Sequence, residues 1–412
     1  MSDGDSCARG ALQPVEQALA QLRERAAALA AQRATQRVSL LAALNRVLAA
    51  DVISAIDVPQ ADNSAMDGYA VRAADSQSGE PLPVSQRVAA GHIGTELAPG
   101  TCARIFTGAE IPVGADCVVM QEDAEVLADG RVRLPASERG SNVRPQGQDI
   151  RQGSVLLSAG RRLRVADLGL LASVGIAEVE VYAPLRVAIV SSGDEVLEPG
   201  QPLAPGKLFN SNRYTLQGVL AGFDFQLIDG GILPDDHAAS VQRLGELAAQ
   251  CDVLISSGGV SVGEEDHLKA ALQTHGELLL WKLAIKPGKP LAFGQLGEAA
   301  YLGLPGNPVA VLVTALVVAL PFMRWLEGEH YQLPVPQQLP YPSARRAGKR
   351  REYLRVQRVD VDGQARLLPF ANQSSGVLSS VSWAQGLAWQ EVGQSVAAGD
   401  CLPYVSFADW LA

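Results

Sequence analysis

Residues 252–269 read DVLISSGGVSVGEEDHLK, residues 281–290 read WKLAIKPGKP, and residues 304–308 read LPGNP. The first of these opens on a short apolar strand, stops at paired glycines, and resumes as a predicted helix over 264–273. Glycines between a strand and a helix let backbone N–H groups approach an anion closely. Lys282, Lys286 and Lys289 add positive charge beside them. The acids Glu264, Glu265 and Asp266 would repel an anion unless a divalent cation stood between. Glu264 or Glu265 suits the dipole of a first helical turn, and Asp266 is the acid assigned to a metal. The stretch therefore points to a metal-assisted site for a phosphate-like or other oxyanion.

In one extended strand Lys282 and Lys286 share a face, flanking Ala284. Inward lysines in an apolar strand are costly without an anion to pair with. An edge strand with solvated lysines remains the alternative.

Working outward, apolar strands and helices alternate from Leu185 to Gly328. Strands are expected over 185–191, 225–233, 252–256, 278–283, 290–293 and 301–304. Helices are expected over 212–220, 236–249 and from Asn307 onward. This βαβ order predicts a doubly wound, mostly parallel sheet. Such sheets bind ligands at the carboxyl ends of their strands. More candidates fall on that edge. Ser191-Ser192-Gly193-Asp194-Glu195 follows the first strand, with Glu195 toward the pocket mouth. In Asp235-Asp236 one acid caps a helix and the other is spare. Capping accounts for Asn307 and Pro308, but not for Pro305 and Gly306.

The remaining chain is less explicit. Leu12, Val15, Leu19, Leu22, Ala26 and Leu29 form a helical stripe. A second short helix is expected over 39–49, capped by Ser39. Residues 51–145 read as short β runs with a hairpin turning at Asp129-Gly130. Residues 162–175 are helical in pattern and are expected to pack with the N-terminal helices. A Pro/Gln-rich linker, 332–342, precedes a small β region. The basic run Arg345, Arg346, Lys349, Arg350, Arg351, Arg355 and Arg358 reads as a solvated face. Val309–Met323 carries no charge, yet it is shorter than the roughly 20 residues of a membrane span, so a buried core helix is expected.

Composition narrows the function classes. A net charge of -10 over 412 residues argues against nucleic acid as a partner. The cysteines at 7, 102, 117, 251 and 401 are scattered and lack a C-x-x-C, which predicts neither disulfides nor zinc and fits a reducing cytoplasm. The N-terminus carries acids where a signal peptide needs positive charge. No membrane association is expected.

Seven motifs occur in one order: DNSAMDGYAVR (62–72), IFTGA (105–109), RPQGQDI (144–150), SSGDE (191–195), ISSGGVSVGEEDHLK (255–269), WKLAIKPGKP (281–290) and GLPGNP (303–308). Over nearly the whole chain this resembles the molybdopterin molybdenumtransferases, the MoeA family, related to the gephyrin E domain. The resemblance implies an α/β multidomain protein. Its parts would be a discontinuous helical linker domain (1–50 and 146–182), an inserted β-rich domain (51–145), an α/β molybdopterin-binding domain (183–328) and a C-terminal β-barrel-like domain (329–412). It implies a homodimer with an active site between the α/β domain of one subunit and the inserted domain of the other. It leaves room for contact with other cofactor-synthesis enzymes.

The implied reaction inserts molybdate into adenylylated molybdopterin with Mg2+-dependent release of AMP. By motif, Asp67, Glu195, Asp235 and Asp266 would manage the metal and the attacking group, with Glu195, Asp235 and Asp266 on the Mg2+. Lys282 and Lys286 would hold oxyanion oxygens. Thr107 and Asp149 would position substrate across the dimer. Ser192, Gly193, Ser257, Gly258 and Gly259 would contact substrate, and Pro305, Gly306, Asn307 and Pro308 would shape the last loop. The chain departs from the family pattern at His267-Leu268 and at Pro234. Two relatives stand as alternatives. One is the molybdopterin adenylyltransferase, which has a TTGGTG-like turn where this chain has ISSGGVS. The other is a scaffold module of the same superfamily.

Overall fold

The computed structural model describes residues 12–233, 236–258 and 276–412. Its centre is a mixed sheet. We label its strands β1 (Arg186–Ser192), β2 (Gln226–Leu233), β3 (Val253–Ser257), β4 (Gly276–Lys282), β5 (Pro290–Leu296) and β6 (Ala299–Leu304). In space they run β2-β1-β3-β6-β5-β4. The first four of these are parallel, while β5 runs antiparallel to both β6 and β4.

Side chains alternate across a strand, and here both faces are apolar. Val187 and Ile189 join one core, together with Val253, Ile255 and Leu302. Ala188 and Val190 join another, with Leu254 and Tyr301. A sheet covered on both faces explains why its strands read as unbroken apolar runs.

The helix Ser211–Leu220 and the long helix Pro308–Leu326 cover the first face, and His237–Ala248 covers the second. The long helix is apolar and long enough to cross a membrane, yet every residue from Val309 to Leu326 is buried within the protein. It is a core helix. Pro321 lacks the N–H that its turn requires, and a π-helical stretch, Ala315–Ala319, precedes it. Such a stretch re-aims the hydrogen bonds around a proline.

The N-terminal stripe forms the helix Val15–Ala30, whose buried Val15, Leu19 and Leu22 join the first core beside the long helix. The expected helix over 39–49 is not formed. Thr35–Ser39 is a strand paired with Glu178–Tyr182, and only a single 3-10 turn, Leu40–Ala43, follows. Val38 gives that strand an apolar position, and the cross-strand pairing outweighs local helical preference. Ser39 makes no side-chain capping bond. The helix Val165–Ser173 packs against this turn through Leu171, Ala43 and Leu48.

Residues 63–144 carry a sheet in the order Val84–Val88, Cys102–Ile105, Gly68–Val71, Cys117–Met120. The hairpin at Asp129-Gly130 joins Glu125–Val126 to Val132–Arg133, with Gly130 at φ 82°. A further sheet forms near the C-terminus from Arg351–Val361, Gly386–Gln390, Cys401–Ser406 and Gln337–Pro340. The described cysteines are all free, and burial pushes the thiols of Cys102, Cys117 and Cys251 up to about 11.

Candidate active site

Because β1, β3 and β6 are parallel, the turns that follow them meet at one edge. Gly258 has φ +92°, which favours glycine, and a Cβ there would lie 3.1 Å from the Ser192 carbonyl oxygen. A Cβ on Gly306 would lie 3.7 Å from the Gly258 Cα. The Gly258 N–H donates to Leu304 O at 3.1 Å. Three glycine turns thus touch one another, and a Cβ on Gly258 would press on the first of them.

The start of the helix Ser211–Leu220 ties these turns down. Buried Asn210 accepts from the Arg213 N–H through Oδ1, capping the helix. Its Nδ2 donates to Ser191 Oγ at 3.1 Å and to Glu198 Oε1 at 3.0 Å. Asn212 Nδ2 donates to Gly306 O at 2.7 Å. The LPGNP turn is therefore held from outside as well as by its own prolines.

The lysine segment closes a second side. Gly288 has φ +110°, and a Cβ there would meet Thr314 Cγ2 at 2.6 Å. Only glycine lets this turn lie on the long helix. Lys286, Gly288 and Lys289 then form one wall of a cleft of about 1270 Å³. Ser192, Gly193, Glu195, Ser257, Gly258 and Pro305 to Pro308 also line it, and the C-terminal region adds Arg350, Glu352 and Gln373 to Gly376.

The structure thus brings Glu195 and Lys286 to the same cleft. Glu195 is exposed on its wall. The Lys286 ammonium lies 2.9 Å from Glu352 Oε1. Lys282 is exposed and does not line the cleft. The expected single strand carrying both lysines is not formed. β4 ends at Lys282, and Ile285–Lys286 pairs instead with Arg351 and Glu352 of the C-terminal sheet. The break occurs where Gln13 bonds to Lys282 O and the Ala284 N–H, so the two lysines belong to different sheets.

Asp235, Gly259 and Asp266 lie outside the described residues. Asp236 is the capping acid, its Oδ1 accepting from the Ala239 N–H at 2.8 Å. Among the described residues no three His, Cys, Asp or Glu side chains cluster as a metal site. Glu195 presents one exposed carboxylate to the cleft, which suits Mg2+, a cation commonly held by one or two carboxylates plus substrate phosphates.

Asp67, Thr107 and Asp149 are absent from this chain's cleft lining. Asp67 and Thr107 nevertheless act together. The Thr107 N–H and hydroxyl both donate to Asp67 Oδ1 at 2.8 Å. These bonds hold the Asp67 carboxyl below the usual range, aided by Arg104. Asp149 is exposed.

The C-terminal contribution was not legible as a site. The basic run is not simply a solvated face. Arg355 is 1% exposed. It donates to Ser380 Oγ, Ser374 O and Tyr353 O, and burial lowers its pKa to about 10. It holds the loop carrying Ser374 and Ser375 against the cleft. The available signal was its setting, an arginine between Leu354 and Val356 in a β-favouring run.

Comparison with known proteins gives a consistent picture. Residues 13–175 match the MoeA N-terminal region (domain I and II), residues 188–325 a probable molybdopterin binding domain, and residues 342–407 the MoeA C-terminal region (domain IV). The molybdopterin molybdenumtransferase of Haemophilus influenzae is 44% identical over 297 residues, 72% of this chain and 74% of that protein. That of Synechococcus elongatus is 35% identical over 381 residues, 89% of this chain and 93% of that protein. A solved MoeA protein from Pyrococcus horikoshii superposes with a TM-score of 0.80 at 28% identity, covering 96% of this chain and 99% of that one. With the glycine turns, Glu195 and Lys286 gathered on one cleft, and with relatives of this identity spanning most of its length, the chain belongs to the MoeA family of molybdopterin molybdenumtransferases.

Proposed function

We propose that this protein is a transferase of molybdenum cofactor biosynthesis that inserts molybdate into adenylylated molybdopterin and releases AMP. The observation that carries this is the convergence of three glycine turns with Lys286, Lys289 and Glu195 on one large cleft. Both substrates are anionic. Backbone N–H groups and ammonium groups fixed beforehand stabilise such oxygens without reorganising during reaction.

In this reading Lys286 and Lys289 hold oxyanion oxygens. The turns at Ser192-Gly193 and Ser257-Gly258 cradle the phosphate-bearing substrate. Pro305, Gly306, Asn307 and Pro308 keep the last loop in shape. Glu195, with Asp235 and Asp266, would hold Mg2+. When bound, that ion would neutralise phosphate charge at the bond that breaks. Lys282 serves the oxyanion only by a movement toward the cleft.

The same reading makes the protein a cytoplasmic homodimer of four parts, with a barrel-like C-terminal domain. Asp67 and Thr107 would complete a partner subunit's cleft, and Asp149 would join them. The ordered Asp67–Thr107 pair, away from its own chain's cleft, supports this.

The test is a discontinuous assay. Purified protein given adenylylated molybdopterin, Mg2+ and molybdate should release AMP. Protein given molybdopterin and ATP should form no adenylylated product. Adenylylation without molybdate-dependent AMP release would replace this proposal with the adenylyltransferase, and neither reaction would favour a scaffold.

A further inference from the structure

A carboxylate on the wall of an oxyanion cleft is electrostatically out of place. Glu352 lines the cleft beside Lys286, Lys289 and Arg350. Lys286 is half exposed to solvent, which holds the pair's contribution to about 0–1 kcal/mol, so stability alone is a weak reason for an acid there. We propose that Glu352 is a positioning residue for Lys286, holding its ammonium at the cleft wall where an oxyanion meets it. The inference rests on the oxyanion reading given above.

The geometry is fixed from several directions. Lys286 and Glu352 are register partners in a parallel pairing. The opposite edge of the Glu352 strand pairs with Gly386–Gln390, so its backbone is held on both sides. Glu352 Oε1 takes Lys286 Nζ at 2.9 Å, and Oε2 takes Arg345 Nη2 at 2.8 Å. Arg345 Nε donates in turn to Gln390 Oε1 at 2.9 Å. Gln390 is buried, and its amide donates to Arg346 O and Gln394 O. A flexible lysine thus ends on a chain of bonded groups anchored in a sheet. Burial alone would raise the Glu352 carboxyl, but bonding to Lys286 and the charge of Arg345 bring it below its usual range. The acid therefore stays ionised and its charge is met by two cations. A long side chain held in one rotamer loses less freedom when the anion arrives.

The experiment is a double-mutant cycle on the full chain: wild type, Lys286→Ala, Glu352→Ala and the double variant, plus Glu352→Gln. Each is read by kcat for AMP release, by KM for molybdate, by calorimetric molybdate titration and by thermal unfolding. Glu352→Ala should lower kcat by about 10- to 100-fold, as displaced catalytic groups do, and weaken molybdate binding. Glu352→Gln keeps an acceptor for Nζ and should recover most of the loss. In the Lys286→Ala background, Glu352→Ala should change neither quantity further.

Tighter molybdate binding by Glu352→Ala would overturn the proposal, marking the acid as a repulsive charge only. So would a loss of the same size with and without Lys286. If wild type releases no AMP, the proposed reaction fails, and the molybdate titrations alone decide on Glu352. Unfolding midpoints separate collapse of Glu352→Ala from loss of positioning, and Glu352→Gln decides if Glu352→Ala does not fold.

Discussion

The two ends of the helix Pro308–Leu326 use charge in opposite ways. Its beginning carries the cleft, where Lys286 is 49% exposed at the side chain and pairs with Glu352. Its far end carries a closed knot. Arg162 reaches Glu329 at 2.8 Å and also pairs with Glu327. Arg324 binds Glu329 through two nitrogens at 2.8 and 2.6 Å. Both guanidinium groups lie 5.3 Å from the Phe223 ring centroid. Burial pushes the Glu327 carboxyl up against the pull of Arg162, while Arg324 and Arg162 outweigh burial at Glu329 and bring it down. Charges in the knot are spent on one another, whereas those in the cleft remain open to a ligand. Availability for a partner, rather than the number of charged groups, separates a binding site from a structural joint.

The largest expected effect falls on the knot. Glu329→Ala leaves two buried arginines short of a partner and should cost about 3–5 kcal/mol of stability. Urea unfolding measures this, and a cost below about 1 kcal/mol would break the contrast drawn here. Lys286→Ala tests the other end. Removing one preorganised donor should lower turnover in the proposed AMP-releasing reaction by about 10²–10³-fold, with the unfolding midpoint almost unmoved. Full activity in that variant would remove Lys286 from the site.

Two smaller effects sharpen the comparison. Gly258→Ala forces a left-handed backbone onto a residue with a Cβ, at about 1–2 kcal/mol, and presses on the Ser192 carbonyl. Its unfolding free energy should fall by that amount if the touching turns are rigid. Thr107→Val removes a hydroxyl donor to the ionised Asp67. The Asp67 carboxyl should then take up its proton at a higher pH than in wild type. A carboxyl-detected NMR titration reads the change, and an unmoved titration would show that the backbone N–H alone sets it.

The legible parts share a physical character. The central strands were readable because two apolar faces leave little choice of structure, and the glycine turns because glycine between a strand and a helix marks a close backbone approach. The segment 39–49 misled because its backbone bonds to distant chain: Ser39 pairs with Glu178, and the Asn45 and Leu48 N–H groups donate to Leu163 O and Arg161 O, contacts with no local signal. Arg350 read as surface charge for the same reason, and Glu352 gave no signal. Their relation to the cleft depends on strand Ile285–Lys286 leaving one sheet and joining another.

By itself the sequence determined the family, through the order of its motifs, and, through its strand-helix alternation, the parallel part of the sheet and the edge on which the glycine turns had to lie. Local backbone geometry and alternating hydrophobicity are written residue by residue, so they survive without coordinates. Tertiary structure alone decided which charges reach that edge. It separated Lys286 from Lys282, set Glu352 against the former, and closed Arg162 and Arg324 into a knot. Ion pairs form between groups far apart in the chain, and their worth depends on burial and on what else is bonded to them.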